Sequence, residues 1–314
     1  MKFPDKGSLF DLLKGSISTL TLFLAYVMFP LVGMIPGVFA PFPAIFYALK
    51  RGKLTGVAIV AIVTVVLAIV ADSSAILLYL LQCGAISLSL PALLAAGKSG
   101  ARSIATAVAI NVGVILVVAG IYAAAGDGDL HAQVLKGIES SISQTVALYD
   151  KAGVTGEDLK ALQQGMVQAG AVIGRIYPSL VVVSLAVIAG LNLMLLGKVS
   201  TRLSCPLSIG KFAWFKNPEQ LVWVLIVAGF AMLVPNRELT TAAMNILVIT
   251  LSLYFMQGMA VIVHFYTRLA IPRFMRVFLY LCLALQPYLA LAVAVLGIFD
   301  IWGDFRTPRK PKNL

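Results

Sequence analysis

Apolar residues run through this chain in long blocks, not in the alternation of a half-buried strand. The first block covers 16–49. Others follow at about 54–71, 73–96, 102–125, 166–196, 220–235, 240–266 and 276–298, set apart by short polar or basic breaks. A helix needs about 20 mainly apolar residues to cross a bilayer, and continuous runs of that length predict helices. In hydrocarbon every backbone N–H and C=O must be satisfied inside the fold, which leaves helices or a closed barrel. The block at 16–49 exceeds one crossing and is broken by Pro30, Pro36, Pro41 and Pro43, so it predicts a hairpin with a short second arm. The pattern predicts an all-α integral membrane protein, a polytopic helical bundle of 8–9 transmembrane helices. It reads as a single membrane domain over 1–314, with N-terminal helices in 16–125, C-terminal helices in 166–298 and a polar basic tail from 299 to 314.

One long hydrophilic stretch, 126–165, interrupts the pattern. Leu130, Val134, Ile138 and Ile142 recur there at helical spacing. Thr155-Gly-Glu-Asp158 has the form of a capping box, with Asp in place of the usual Glu or Gln. The stretch predicts an extracytoplasmic helical hairpin whose second arm runs into the next spanning helix, kinked near Tyr177-Pro178. A lid over an opening and a solvated connector both fit it.

Composition strengthens this picture. The chain is 60% hydrophobic and 12% charged, with mean hydropathy +0.97, whereas a soluble domain averages about 25% charged residues. The net charge of +11 does not point to nucleic acid, because its cations sit at the ends of apolar blocks: Lys50, Arg51 and Lys53; Lys98 and Arg102; Lys198 and Arg202. That is the positive-inside arrangement, with membrane lipids, anionic headgroups above all, as the expected partners. Lys2, Lys6 and Lys14 place the N-terminus in the cytoplasm, and the basic connections at 50–53, 98–102, 198–216 and 268–276 alternate to the same side. The tail breaks the rule: nine crossings put Arg306, Arg309, Lys310 and Lys312 outside. Either the tail is external or one segment does not cross, the arm at 36–49 and the Gln286-Pro287 segment being the suspects. No A-x-A-like cleavage site follows a short apolar region near the N-terminus, so the first apolar block predicts a retained helix and not a cleaved signal peptide.

Few residues suggest chemistry. Cys83, Cys205 and Cys282 are far apart, with no CxxC and only two histidines in the chain, so neither a disulfide framework nor a metal site is expected. "ALLAAGKS" (92–99) resembles a nucleotide loop only loosely: helix formers stand where a phosphate cradle needs a glycine-rich turn after a strand. Asp127, Asp129, Glu157 and Asp158 lie in the hydrophilic stretch, where solvated charge is the default. No nucleophile–base or paired-carboxylate arrangement appears within the spans. The expectation is a protein that is not an enzyme and carries no cofactor.

Polar residues within spans are the better lead, since they are costly in lipid and usually face an interior or a cavity. Asp72, Tyr79 and Gln82 share one helix face, as do Gln257, His264 and Arg268; Asn111 and Asn192 add amides in two further helices. Together they form a candidate polar pocket, the alternative for each being an interhelical hydrogen bond. Ala101, Ala105, Ala109 and Gly113 recur every four residues and give a flat helix-docking face, suited to packing within the bundle or to another subunit. "HFYTRLAIPRFMR" (264–276) is a basic elbow broken at Pro272.

"YFMQGMAVIVHFYTR", "IPRFMR", "LQPYL" and "GIFDIWGDFR", with "PFPAIFYALKRGKLTG" near the N-terminus, resemble the YybS-like family of bacterial multi-pass membrane proteins of unknown function. The resemblance implies the bacterial cytoplasmic membrane and brings no catalytic residue. At the level of fold alone, the N-terminal helices resemble substrate-binding membrane subunits of energy-coupling-factor vitamin importers, and proteins of the MreD kind. Two functions follow as expectations. One is a small-solute-binding membrane subunit or transporter component that needs partner subunits. The other is a non-enzymatic membrane scaffold acting on a membrane protein partner in envelope growth or stress.

The ending "GIFDIWGDFR" asks for a structural explanation. Asp300 and Asp304 are four apart and oppose the helix dipole, so each should meet a cation or a helix N-terminus. Arg306 is a local partner for Asp304 or, through its guanidinium, for the Trp302 ring. Trp302 and Phe305 suit an interfacial aromatic belt. The signature Asp300, Trp302, Asp304, Phe305 and Arg306 reads as a latch on the last helix.

Overall fold

The computed structural model describes residues 6–125, 130–203 and 207–306. Lys2, Asp127, Asp129, Cys205, Arg309, Lys310 and Lys312 therefore lie outside the described residues. The helices are α1 (Lys6–Met28), α2 (Pro30–Gly37), α3 (Phe42–Arg51), α4 (Lys53–Val70), α5 (Ser73–Tyr79), α6 (Ala85–Ala95), α7 (Gly100–Ala124), α8 (Leu130–Lys151), α9 (Gly156–Lys198), α10 (Leu221–Ala231), α11 (Arg237–Arg268), α12 (Arg273–Leu285) and α13 (Pro287–Gly303). No strand occurs among the described residues. Among the described residues seven segments are long and apolar enough to cross a membrane: Gly7–Met28, Val32–Arg51, Lys53–Val70, Ser73–Ala95, Gly100–Ala124, Gly156–Lys198 and Arg237–Arg268. The bent pair α12–α13 makes eight if it counts as one span.

The chain forms two compact units. The first comprises Met1–Asp127 and Ser184–Gly210, the second Gly128–Val183 and Lys211–Leu314. In the first, α3 and α4 pack on each other, and each also packs on α1 and α6. Gly52 allows the tight α3–α4 hairpin: its φ of +113° lies where a side chain would be strained. Asp72 caps α5 by accepting from the Ala75 N–H at 3.2 Å. Leu80–Gly84, between α5 and α6, is a π-helical turn. A core of Phe23, Ala40, Ala44, Ile59, Val60, Val63, Leu67, Tyr79 and Cys83 joins these helices, with the Phe23 and Tyr79 rings edge to face at 5.1 Å. At the other end of α1, Asp11 meets Lys50 at 3.0 Å and Arg51 at 2.7 Å.

In the second unit, α8 folds back along the start of α9. Ile138 and Ile142 lie against Gly170, Leu135 against Gly174, and the His131 ring stacks on Tyr177 at 5.7 Å. α9 continues through Pro178. The missing N–H would leave a helix ladder open there, and Asn245 of α11 is inserted beside the break: its Oδ1 accepts from Ser179 N–H at 2.9 Å and its Nδ2 donates to the Arg175 carbonyl at 2.8 Å. α11 and α13 cross almost backbone to backbone. A Cβ on Gly258 would overlap the Val293 carbonyl, and one on Gly297 the Tyr254 carbonyl.

Two apolar blocks differ from their predicted spans. The block at 220–235 yields only the 11 residues of α10, about 16 Å at 1.5 Å per residue. It stops because Pro235 disfavours helix at the residue before it and because Asn236 starts α11, accepting from Glu238 and Leu239 N–H. The block at 276–298 is broken at Gln286, before Pro287, into α12 and α13.

Candidate polar site beside an unwound segment

The chain before α10, a 3-10 turn at Phe212–Trp214 followed by irregular backbone, has mostly exposed side chains and is nevertheless tied to α11. Trp214 packs its ring edge to face with His264 at 5.2 Å. The Asn217 N–H donates to Gln257 Oε1 at 3.0 Å, and its Nδ2 to the Leu253 carbonyl at 2.9 Å. Further on, Trp223 to Ala231 line one groove with Leu239 to Ile246. The chain from Trp214 to Ala231 thus runs antiparallel beside α11 from His264 back to Leu239. Those 25 steps of helix cover about 37 Å, compared with about 30 Å of hydrocarbon in a bilayer. The chain from Trp214 to Ala231 lies along that length, with Lys216 and Glu219 exposed before α10 begins.

Two side chains give this backbone hydrogen-bond partners, Gln257 and Arg306, and Asp300 ties the two together. Gln257 is fully buried; its Oε1 takes the Asn217 N–H and its Nε2 donates to Asp300 Oδ2 at 2.9 Å. Arg306 donates from Nη1 to the carbonyls of Ala213 at 3.0 Å and Phe215 at 2.8 Å, and from Nη2 to Asp300 Oδ2 at 2.5 Å. Asp300 is 0% and Arg306 4% exposed, so the ion pair is out of solvent. The chain reaches this geometry by turning through Asp304, a non-glycine residue at φ 37° that ends α13 and sends Arg306 back along the helix. The capacity of the site is not used up. Asp300 Oδ1 and the buried Tyr254 hydroxyl have no hydrogen-bond partner among the described residues.

The sequence-predicted residues divide between the units. Gln257 is central to this site, and half-buried His264 borders it through Trp214. Arg268 is exposed at the end of α11, and Asp72 is an exposed helix cap, so neither contributes to a buried pocket. Tyr79 is buried in the first unit's core with its hydroxyl unpartnered among the described residues; the same holds for Gln82 Oε1 on the π-helical turn and for Ser16, Thr19 and Ser87. Asn111 is buried with neither amide atom paired among the described residues. Asn192 donates to the carbonyls of Val38 and Ile188.

In the C-terminal signature Arg306 pairs with buried Asp300, four residues before the Asp304 named as its local partner. Trp302 and Phe305 are exposed, as side chains of an aromatic belt would be. Asn217 and the carbonyls of Ala213 and Phe215 were not foreseen; the one signal was Asn217-Pro218 just ahead of an apolar run too short to span by itself. Ala101, Ala105, Ala109 and Gly113 are all exposed. Among the described residues no three His, Cys, Asp or Glu side chains gather closely enough to hold a metal ion.

The model of a family described as predicted membrane protein DUF2232 matches residues 17–301. The chain belongs to that family. No curated protein and no solved structure matches it.

Proposed function

We propose that this member of the DUF2232 family is a small-solute-binding membrane subunit, or transporter component, that works with partner subunits in the bacterial cytoplasmic membrane. The carrying observation is the unwound segment beside α11, whose buried polar cluster keeps Asp300 Oδ1 and the Tyr254 hydroxyl open. Transport proteins commonly bind solutes where a span is discontinuous, because the unwound backbone and its supporting side chains are the polar groups available at that depth. The YybS-like resemblance fits this family. The N-terminus is cytoplasmic in this reading. The segment 214–231 counts as a discontinuous span, and α12–α13 enters and leaves on one side. Eight crossings then bring the tail and the 268–276 elbow to the cytoplasmic side, in agreement with their charge. The test is extraction of bound small molecules from purified protein, followed by thermal-shift screening of a metabolite panel against wild type and Gln257→Leu. A ligand that stabilises wild type and not the variant supports the reading. Protein that carries no small molecule and responds to none of the panel counts against it.

A membrane scaffold is the second reading, favoured by the exposed small-residue face of α7. Cross-linking from that face in native membranes would trap one defined partner; recovery of monomer alone would sink it.

A further inference from the structure

Residues 213–217 form a strap between the buried Asp300–Arg306 pair and the outside. Trp214 and Lys216 are exposed, while the backbone between them turns its polar groups inward. Four hydrogen bonds hold the strap: the Ala213 and Phe215 carbonyls accept from Arg306, the Asn217 N–H donates to Gln257 Oε1, and Asn217 Nδ2 donates to the Leu253 carbonyl. Phe215 to Pro218 carry no helix, so lifting that stretch breaks no helix ladder. Beneath it two polar atoms are unanswered among the described residues, Asp300 Oδ1 and the Tyr254 hydroxyl, although both residues are 0% exposed. They belong to one helix crossing: a Cβ on Gly297, one turn before Asp300, would overlap the Tyr254 carbonyl. Orphaned buried polar atoms are rare and call for an explanation.

We propose, resting on the solute-binding reading above, that the solute is a neutral molecule presenting a carboxamide-type pair of C=O and N–H groups, and that it binds by taking the strap's place. The strap itself shows what the open site accepts. It is a row of peptide amides that gives carbonyl oxygens to Arg306 and an N–H to Gln257. A carboxamide repeats that pair. Its second N–H answers Asp300 Oδ1, and the Tyr254 hydroxyl can donate or accept beside it. Charge selects the same class. Asp300 and Arg306 already balance each other, so an anion would enter beside Asp300, and a cation beside Arg306, as an uncompensated charge out of water. A solute with no N–H would leave Gln257 Oε1 and Asp300 Oδ1 unmet. Sites built to hydrogen-bond a group discriminate strongly against analogues that lack it.

The test uses the full-length chain in detergent with Trp223 and Trp302 changed to phenylalanine. Trp214, on the strap and packed on His264, is then the one tryptophan left. Acetamide, N,N-dimethylacetamide, acetate and ethylammonium are titrated at equal ionic strength. Probes this small bind weakly, so the titrations run to roughly 200 mM. Acetamide should shift Trp214 emission saturably and speed amide exchange over 213–217. Each of the other three should need about tenfold more, since it leaves a buried charge or acceptor unmet. Tyr254→Phe should weaken acetamide by about threefold to tenfold, as for one lost hydrogen bond. Asp300→Asn should reverse the preference. Its amide can place a donor where Oδ1 stood and leaves Arg306 uncompensated, so acetate should bind more tightly than acetamide. A purely structural Asp300 would not exchange one selectivity for another. If the tryptophan changes prevent folding, amide exchange over 213–217 in the unaltered chain replaces fluorescence. Four results would overturn the proposal: a charged probe matching acetamide, one common response to all four probes, no saturable response to any, or an unaltered order in Asp300→Asn. The solute-binding reading survives each of them if the metabolite panel still yields a ligand that stabilises wild type and not Gln257→Leu.

Discussion

Replacing Arg306 with methionine removes three hydrogen bonds at once and leaves the Asp300 carboxylate at zero exposure, with Gln257 as its remaining donor. Uncoupling one member of a buried ion pair costs about 3–5 kcal/mol. Ordinary interhelical hydrogen bonds in membranes average about 0.6 kcal/mol, because the unfolded helices find other partners. The charge therefore dominates: Arg306→Met should be far more damaging than loss of a neutral bond in the same cluster. At about 2–4 °C per kcal/mol, borrowed from soluble domains of 150–250 residues, the shift is about 6–20 °C. Asp300→Asn should cost less, since the amide still accepts from Arg306, which keeps the carbonyls of Ala213 and Phe215. The double variant Asp300→Asn/Arg306→Met removes both charges and should be more stable than the sum of the single losses predicts, by about 2 kcal/mol of coupling. Melting curves of the four proteins in one detergent complete the cycle. Strict additivity, or an Arg306→Met melting point equal to wild type, would refute the ion pair as the element that pins α13.

Four further outcomes are expected. Asn245→Leu should remove two hydrogen bonds from α11 to α9 beside Pro178; because the Ser179 N–H and the Arg175 carbonyl are four residues apart and can then pair with each other, a loss of only about 0.5–1.5 kcal/mol is expected in the same melting assay. Gly297→Val should force α11 and α13 apart and cost about 1–3 kcal/mol or more, whereas Gly113→Ala, which meets nothing, should be neutral or slightly stabilising in the same melting assay. Asp11→Asn should cost only about 0.5–1 kcal/mol, because its partners Lys50 and Arg51 are a third or more exposed, and the loss should shrink as salt rises. In a chain with Cys205 and Cys282 changed to serine, Cys83, 2% exposed, should resist maleimide until the protein unfolds.

The polar site was only partly legible beforehand. Gln257 and Asp300 could be singled out because any polar group in an apolar run must have a reason to be there. Their meeting could not be read, since it depends on α11 and α13 touching at Gly258 and Gly297, and glycines in two separate helices carry no mark of which partner each approaches. Arg306 was visible as a cation near two acids, yet which acid it takes rests on the backward turn at Asp304. Asp72 and Arg268 shared stripes with real interior residues, but each sits at a helix end where water or headgroups can reach it, and periodicity does not register where a helix stops being buried.

By itself the sequence determined what the solvent dictates: long apolar blocks can satisfy their backbones in lipid only as helices, basic residues gather at their ends, and prolines mark the breaks. Those are local consequences of hydropathy and backbone chemistry, and neighbouring residues suffice to express them. The tertiary structure alone decided that the chain before an 11-residue helix lies along α11, and that a carboxylate, an amide and a guanidinium from distant positions hold it in place. Unwound backbone is held in place only when other elements bring it hydrogen-bond partners, and those partners stand 40 to 93 residues away along the chain.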